Sequence, residues 1–358
     1  MRIILATGGT GGHLFPALKT AVVLKNLGHE IIFCGSFGVA VEKITDYGFE
    51  YHNLNAKGLS FSTPIKFIQT AMILLAVSFK SIALLNKIQP AVICGFGGYG
   101  AFPIIFAGCF KRIPCMIHEQ NVVPGRANKM LDRWVRKVAV SFKAARKYFK
   151  NPNIVLTGCP CHHTKVKLSQ KECRAKFGLD RDRLTLLIIG GSQGSQRINE
   201  VVSQAVMTLE NKADIQVIHM TGPKDCDSIK TLYLKLKLPT AVFPFIDCIE
   251  TAYQAADLVI ARSGAATVSE LAVFQKLSIL IPYPHAGGHQ KENAKILADC
   301  HEATIIDEKE LTADTLRKII LEQLQRIISG GVDGRGLSQI TIPEADHQLA
   351  KEIIALGS

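Results

Sequence analysis

Two short segments carry the side chains best suited to proton transfer, Gly8-Gly9-Thr10-Gly11-Gly12-His13 and His118-Glu119-Gln120-Asn121. An unperturbed imidazole titrates near neutrality, so His13 at the close of a glycine-rich turn is the first candidate base. Glu119 is the second. Glycine lets backbone amides approach a ligand closely, and a helix that opens at His13 adds unpaired N–H groups and a partial positive charge. The turn therefore suits an anion such as a phosphate or a developing alkoxide.

The second half repeats this chemistry. Gly190-Gly191-Ser192-Gln193-Gly194-Ser195 is another glycine-rich turn, and Arg262-Ser263-Gly264-Ala265-Ala266-Thr267-Val268-Ser269-Glu270 sets small residues at a helix start. Free amides there match a diphosphate, with Ser263 or Thr267 capping the helix or binding the same oxygens. The Glu270 carboxylate can accept both hydroxyl protons of a ribose. The competing reading makes Thr267 and Glu270 the two ends of a capping box.

Two nucleotide motifs are excluded. A Walker loop ends in Gly-Lys-Ser/Thr, whereas the first turn ends Gly-Gly-His. The dinucleotide fingerprint needs a third glycine where Leu14 stands, and the run Glu30 to Gly35 lacks a ribose-binding acid at its end.

These turns must be held by strands. Short β-like runs are predicted over 2–6, 30–34, 50–54, 91–95, 114–118, 137–141 and 154–157, then 184–189, 215–220, 241–245, 258–261, 278–281 and 304–306, with helical runs between most of them. Such alternation predicts an α/β protein with parallel, doubly wound sheets, whose ligands sit beyond the carboxyl ends of the strands. The polar segment 161–183 separates two similar domains. A final helical run over 344–356 follows Pro343 and is long enough to pack back on the first.

The formal charge of +12 on 358 residues is unevenly placed. Nineteen Lys and Arg but six Asp and Glu fall in residues 1–160, a formal +13, against −1 for the remainder. A one-sided field favours an anionic membrane surface or substrate. Nucleic acid is not expected, because no recognisable binding motif or aromatic–basic interleaving is present. Ten cysteines without a C-x-x-C pair, and no signal-peptide pattern before the first strand, imply reduced thiols in the cytoplasm.

Residues 67–79 form thirteen uncharged positions bracketed by Lys66 and Lys80. That run is shorter than the roughly 18 apolar residues of a spanning helix. It reads either as a buried core helix or as a helix whose apolar face enters a membrane interface, the latter favoured by Lys57, Lys66, Lys80 and Lys87. Metal binding is not expected. Asp225-Cys226-Asp227 and Asp180-Arg181-Asp182 lie in polar loops, and Cys159-Pro160-Cys161-His162-His163 is too compact a run for four tetrahedral ligands.

Taken in order, the two turns, Gly97-Gly98-Tyr99, His118 to Asn121, Phe245-Ile246-Asp247, Arg262 to Glu270, and His289-Gln290 with Asn293-Ala294 resemble the MurG family, over about residues 3–294. That family transfers N-acetylglucosamine from UDP-N-acetylglucosamine to lipid I. The resemblance implies the GT-B glycosyltransferase fold, two Rossmann-like doubly wound domains facing across a cleft. Residues 1–160 would face the acceptor and membrane, 161–340 would bind the UDP-sugar, and a helix over about 341–358 would return to the first domain. It implies an inverting transfer, without metal or cofactor, to the C4 hydroxyl of the MurNAc unit of lipid I, giving lipid II.

On the same resemblance the uracil would meet the backbone at Ile246, and the diphosphate Ser192 and the segment Ala265, Ala266, Thr267, Val268 and Ser269. Glu270 would hold the ribose, and Gln290, with His289, the sugar. Thr10, Gly11, Gly12 and Asn121 would close over the donor. Inversion needs a base for the acceptor hydroxyl, assigned to His13 with Glu119 as runner-up. The implied setting is peripheral, on the cytoplasmic face of the bacterial plasma membrane, alongside other cell-wall synthesis proteins. One departure stands out. The family reads Gly-Asn-Pro-x-Arg where this chain has Gly158-Cys159-Pro160-Cys161-His162, so an intermittently charged His162 replaces a donor-site arginine. The competing functions are another GT-B UDP-sugar enzyme, such as a glycolipid glycosyltransferase or a UDP-N-acetylglucosamine 2-epimerase, and a non-catalytic membrane-surface sensor of UDP-sugar.

Overall fold

Ile3, Ile4, Leu5 and Ala6 are wholly inaccessible to solvent, as a strand covered by helices on both faces must be. They lie in β1 (Arg2–Gly8), which runs parallel to β2 (Glu30–Ser36) on one side and to β4 (Val92–Gly95) on the other. The computed structural model describes residues 1–9, 11–38, 41–56, 64–161, 166–191, 193–209, 214–331 and 334–358. Among these, the chain divides into two compact units, Met1–Cys161 with Ile342–Ser358, and His162–Thr341.

In the first unit α1 (Gly11–Asn26) links β1 to β2, and α2 (Val41–Asp46) leads to β3 (Glu50–Asn53). After α3 (Pro64–Ile88) and β4 come α4 (Phe102–Phe110), β5 (Cys115–Glu119), α5 (Arg126–Leu131), β6 (Lys137–Val140) and β7 (Ile154–Leu156). The described strands form one parallel sheet in the order β3-β2-β1-β4-β5-β6-β7. Strand order reverses between β1 and β4, and that switch point is where an open α/β sheet offers a crevice.

The second unit repeats the plan. Its elements are α6 (Gln170–Lys176), β8 (Leu184–Ile189), α7 (Gln196–Met207), β9 (Ile215–Met220), α8 (Cys226–Lys235), β10 (Thr240–Phe243), α9 (Ile249–Ala255), β11 (Leu258–Ala261), α10 (Ala265–Phe274), β12 (Leu277–Leu280), α11 (His289–Ala298), β13 (Ala303–Ile305), α12 (Ala313–Ile328) and α13 (Arg335–Ile340). The parallel order is β10-β9-β8-β11-β12-β13, with its switch point between β8 and β11. Last, α14 (Ala345–Gly357) joins the first unit. Leu349, Ala350 and Ile353 share a core with Leu14, Ala17 and Ala21 of α1, and Lys137 pairs with Glu352 at 2.6 Å.

The predicted strands agree with the observed ones to within a residue or two at their ends. Helix α3 differs more. It spans 25 residues rather than the thirteen between Lys66 and Lys80, because a second apolar series continues past Lys80. Leu74, Ser78, Ser81, Leu85 and Ile88 recur at steps of four and three and are buried, while Ile68, Met72, Leu75 and Phe79 repeat the same steps and are exposed. The stretch Ile68–Ile88 is long and apolar enough to cross a membrane by length and composition, yet only 22% of its apolar window is buried. Length therefore does not decide against crossing. The buried stripe does, since crossing would strip Leu85 and Ile88 from the core they share with Ile104 and Ile105 of α4.

Candidate active site

At the first switch point the turns after β1 and β4 close on one another. The Gly8 amide donates to the Gly97 carbonyl at 3.1 Å. Gly97 has φ +96°, and a Cβ there would lie 3.1 Å from His13 Cε1, so only glycine admits the imidazole. His13 stands in the first turn of α1 beside Gly11 and Gly12, half-buried. Thr10 lies outside the described residues, as do Ser192, His162, His163 and Lys57.

His118 and Glu119 end β5, and with Gln120 they are fully buried. His118 Nε2 lies 2.9 Å from the Gly158 carbonyl, and its Nδ1 lies 3.1 Å from Gln120 Nε2. Burial is the main cause that pushes the His118 pKa down to about 4; the nearby His13 adds to it and the Gly158 contact opposes it. The other end of the Gln120 amide, Oε1, lies 3.0 Å from His13 Nδ1. Glu119 is occupied differently. Its Oε1 accepts from the Asn121 amide at 3.0 Å and Asn121 Nδ2 at 3.2 Å, and its Oε2 from the Gly125 amide at 3.1 Å and Asn128 Nδ2 at 2.8 Å. Four donors on one buried carboxylate describe an anchor for the loop that carries Asn121.

At the second switch point, Ser195 caps α7 and Gly194 has φ +76°, where a Cβ would lie 2.0 Å from the Thr221 carbonyl. A buried network supports that contact. Asn199 Nδ2 donates to Thr221 O at 2.9 Å, Asn199 Oδ1 lies 3.0 Å from His219 Nε2, and His219 Nδ1 lies 3.0 Å from the Tyr233 hydroxyl. Burial lowers the His219 pKa to about 3, which keeps the ring neutral.

Helix α10 opens with Gly264 as N-cap and no side-chain cap. Its first amides therefore donate to no N-cap side chain, the condition under which a helix start can bind an anion. Thr267 and Glu270 lie inside the helix, so they do not form the capping box that their spacing allowed. The Val268 amide donates to Gly264 O at 2.9 Å and its side chain is buried in the core, which leaves Ala265, Ala266 and Thr267 as the amide donors of this turn. Ser269 is half-buried. Ser263 is turned away from an anion, donating to the Gln290 carbonyl at 2.8 Å, while Asn293 Nδ2 donates to Ser263 O at 3.2 Å. Gln290 itself accepts the Tyr283 amide at 2.9 Å.

Three residues that sequence reasoning assigned no role complete these half-sites. Gln120 joins two histidines. Arg262 donates to Ser195 Oγ at 2.8 Å and to Ile281 O at 3.1 Å, pairs with Glu308, and lies over the Tyr283 ring at 5.3 Å, so it ties the two anion turns together. The Tyr253 hydroxyl donates to Glu270 Oε2 at 2.9 Å. A guanidinium directly after a buried strand and among small residues is one visible signal, and the polar run 118–121 marks Gln120 as part of a site segment without showing which member faces the site; Tyr253 gives none. Ile246 is buried in the segment between β10 and α9. The D-x-D runs serve locally: Asp180 Oδ1 accepts the Asp182 amide at 2.8 Å, and Asp225 accepts from Asn199 at 2.8 Å.

The two units match known domains in the same order. Residues 3–140 match the glycosyltransferase family 28 N-terminal domain and residues 185–328 the glycosyltransferase family 28 C-terminal domain. The chain is 37% identical over 336 residues to the UDP-N-acetylglucosamine–N-acetylmuramyl-(pentapeptide) pyrophosphoryl-undecaprenol N-acetylglucosamine transferase of Thermodesulfovibrio yellowstonii, covering 91% of this chain and 90% of that one. The protein of the same name from Geotalea daltonii is 36% identical, covering 91% and 89%. The crystal structure of Acinetobacter baumannii MurG superimposes with a TM-score of 0.80 at 27% identity over 99% of both chains.

Proposed function

The chain belongs to glycosyltransferase family 28 and, within it, to the MurG transferases, and on that premise we propose how its residues perform the transfer. The enzyme moves N-acetylglucosamine from UDP-N-acetylglucosamine to lipid I, giving lipid II for peptidoglycan synthesis. The observation that carries this reading is 37% identity, across nine tenths of both chains, to a transferase of that name.

The second unit is the donor domain in this proposal. The amides of Ala265, Ala266 and Thr267 take the diphosphate, with Ser192 contributing from the turn before α7. Glu270, oriented by Tyr253, takes the ribose hydroxyls, the Ile246 backbone takes the uracil, and Gln290 the sugar. Arg262 keeps both turns in register. From the first unit, Thr10, Gly11, Gly12 and Asn121 close on the donor, and His13 removes the proton of the MurNAc C4 hydroxyl as that oxygen attacks the anomeric carbon. The bond to UDP breaks on the opposite face, so configuration inverts, and the diphosphate charge develops against pre-placed amides. Glu119 is the weaker candidate base because four donors already hold its oxygens.

The acceptor is a membrane lipid, and the exposed stripe of α3 supplies a surface to reach it. Ile68, Met72, Leu75 and Phe79 are joined in exposure by Phe110 and Trp134, on a unit with a formal charge of +13 over residues 1–160. An exposed apolar stripe on a helix that also exposes Lys66, Lys80 and Lys87 matches the anionic interface of the cytoplasmic leaflet. The test is transfer from labelled UDP-N-acetylglucosamine to a lipid I analogue with EDTA present and UDP-glucose as competitor. Disaccharide product that resists EDTA is expected. Binding of the donor with no product on lipid I, or release of free sugar, overturns the reading in favour of another acceptor or an epimerase.

A further inference from the structure

The side chains around His13 form a continuous hydrogen-bonded series whose polarity can be worked out from its far end. The Gly158 carbonyl only accepts, so the His118 Nε2 that lies 2.9 Å from it carries the proton. Burial keeps His118 neutral at working pH, and a neutral imidazole with Nε2–H has an acceptor at Nδ1. The Gln120 group 3.1 Å from that Nδ1 must therefore be its NH2. The same NH2 lies 3.2 Å from the His118 carbonyl, which also only accepts, and this fixes the amide orientation a second time. Gln120 then presents Oε1 to His13 Nδ1 at 3.0 Å, and an amide oxygen only accepts. His13 must hold its proton on Nδ1, and its Nε2 is the ring's proton acceptor.

We propose that Gln120, locked by His118 and Gly158, is a positioning residue that holds His13 in the Nδ1–H tautomer with Nε2 as the basic atom. The inference deepens the reading of His13 as base and rests on it for its catalytic meaning. When Nε2 takes the hydroxyl proton, the O–H bond breaks, the N–H bond forms, and the oxygen's electron pair goes to the anomeric carbon as the sugar–phosphate bond cleaves. The imidazolium keeps its Nδ1–H on Gln120 Oε1, and no proton travels further along the series. His118 supplies direction only. Its surroundings hold that direction steady, with the Phe96 ring centroid 5.6 Å away and Ser141 Oγ 3.5 Å from Nε2.

The roles of the neighbouring residues follow. Glu119 is adjacent in sequence but on the opposite side of the strand's alternation, where it anchors Asn121, Gly125 and Asn128. The segment His118-Glu119-Gln120-Asn121 thus splits its duties, with alternate residues serving the base and the loop.

The experiment reads the tautomer directly, by two-bond ¹H–¹⁵N spectra of the full chain labelled on histidine, with the His13 signals identified by their loss in His13→Ala. Wild type is expected to show protonated Nδ1 and unprotonated Nε2. Gln120→Leu, which keeps the volume and removes the acceptor, is expected to lose that signature and to lower kcat about tenfold to a hundredfold, with the UDP-N-acetylglucosamine dissociation constant unchanged. Gln120→Glu, which restores an acceptor toward His13, is expected to recover the tautomer. A wild-type His13 protonated on Nε2, or a Gln120→Leu spectrum unchanged at His13, overturns the proposal, and the first of these does not depend on how Gln120→Leu folds. The base reading fails separately. If His13→Ala keeps normal turnover while the wild-type spectrum shows Nδ1–H, the tautomer assignment stands and His13 is not the base.

Discussion

Tyr253 and Glu270 are joined by a 2.9 Å hydrogen bond between two buried side chains, a phenol on α9 and a carboxylate one and a half turns into α10. The Tyr253 ring also stacks on Phe274 with centroids 5.2 Å apart, so removing the hydroxyl alone leaves its packing intact. A hydrogen bond to a charged group contributes about 1.5–3 kcal/mol. Tyr253→Phe is expected to weaken UDP binding about tenfold by calorimetry while kcat at saturating donor changes little. UDP affinity equal to wild type would mean that the phenol does not orient Glu270 for the ribose.

Arg262 is expected to matter more than any single anion contact, because one guanidinium reaches Ser195, Ile281 and Glu308. Arg262→Met keeps the stem but leaves the Glu308 carboxylate without its cation. Breaking a mostly buried pair in this way costs about 3 kcal/mol, and the second unit should show it in urea unfolding, with UDP affinity reduced more than tenfold. Arg262→Lys should recover part of the stability and little of the affinity, since an ammonium cannot span the fork. Equal affinity in the Lys variant would show that the two turns hold their register without the guanidinium.

How far the residues alone reveal this arrangement depends on the range of the interaction. β8, β9 and β11 are legible because a buried parallel strand is a nearly continuous apolar run, and the turns after β1, β4, β8 and β11 because each clusters glycine or other small residues directly after such a run. The extent of α3 was hidden by Lys80, whose charge interrupts the apolar run without interrupting the buried stripe Ser78, Ser81, Leu85. The Thr267–Glu270 spacing has the form of a capping box, but the helix starts at Gly264 and the spacing therefore falls inside it. Gln120 is the hardest case. Its significance lies in contacts to His13, 107 positions away, and through His118 to Gly158, and nothing local distinguishes it from its neighbour Glu119.

Acid should destabilise both units through buried histidines. An unfolded histidine gains a proton as pH falls through 6.5, whereas folded His118 resists until about 4 and folded His219 until about 3. The folded values are lowered, so stability is complete above 6.5 and is lost progressively as pH falls toward them. Each group costs about 1.4 kcal/mol per pH unit, so each unit should lose about 2 kcal/mol between pH 6.5 and 5, above the range where ordinary carboxylates titrate. Urea unfolding at pH 7.5, 6.5, 5.5 and 5 measures this. Stability that stays flat across that interval would show that the folded rings accept protons as readily as unfolded ones.

The exposed stripe of α3 makes the last prediction. Met72 and Phe79 are 65% and 70% exposed, so charging them should leave folding within about 0.5 kcal/mol of wild type. Burying such side chains in an interface contributes about 2 kcal/mol each. Met72→Glu with Phe79→Glu is therefore expected to lower partition onto vesicles containing anionic phospholipid more than tenfold in sedimentation. Turnover of a water-soluble lipid I analogue should persist, because the contacts described for His13 are to Gln120 and the Gly97 turn and include neither residue. The two measurements separate docking from chemistry. Undiminished vesicle binding would move the membrane contact away from α3, and a matching loss on the soluble analogue would mean that the stripe supports the active fold rather than the bilayer surface.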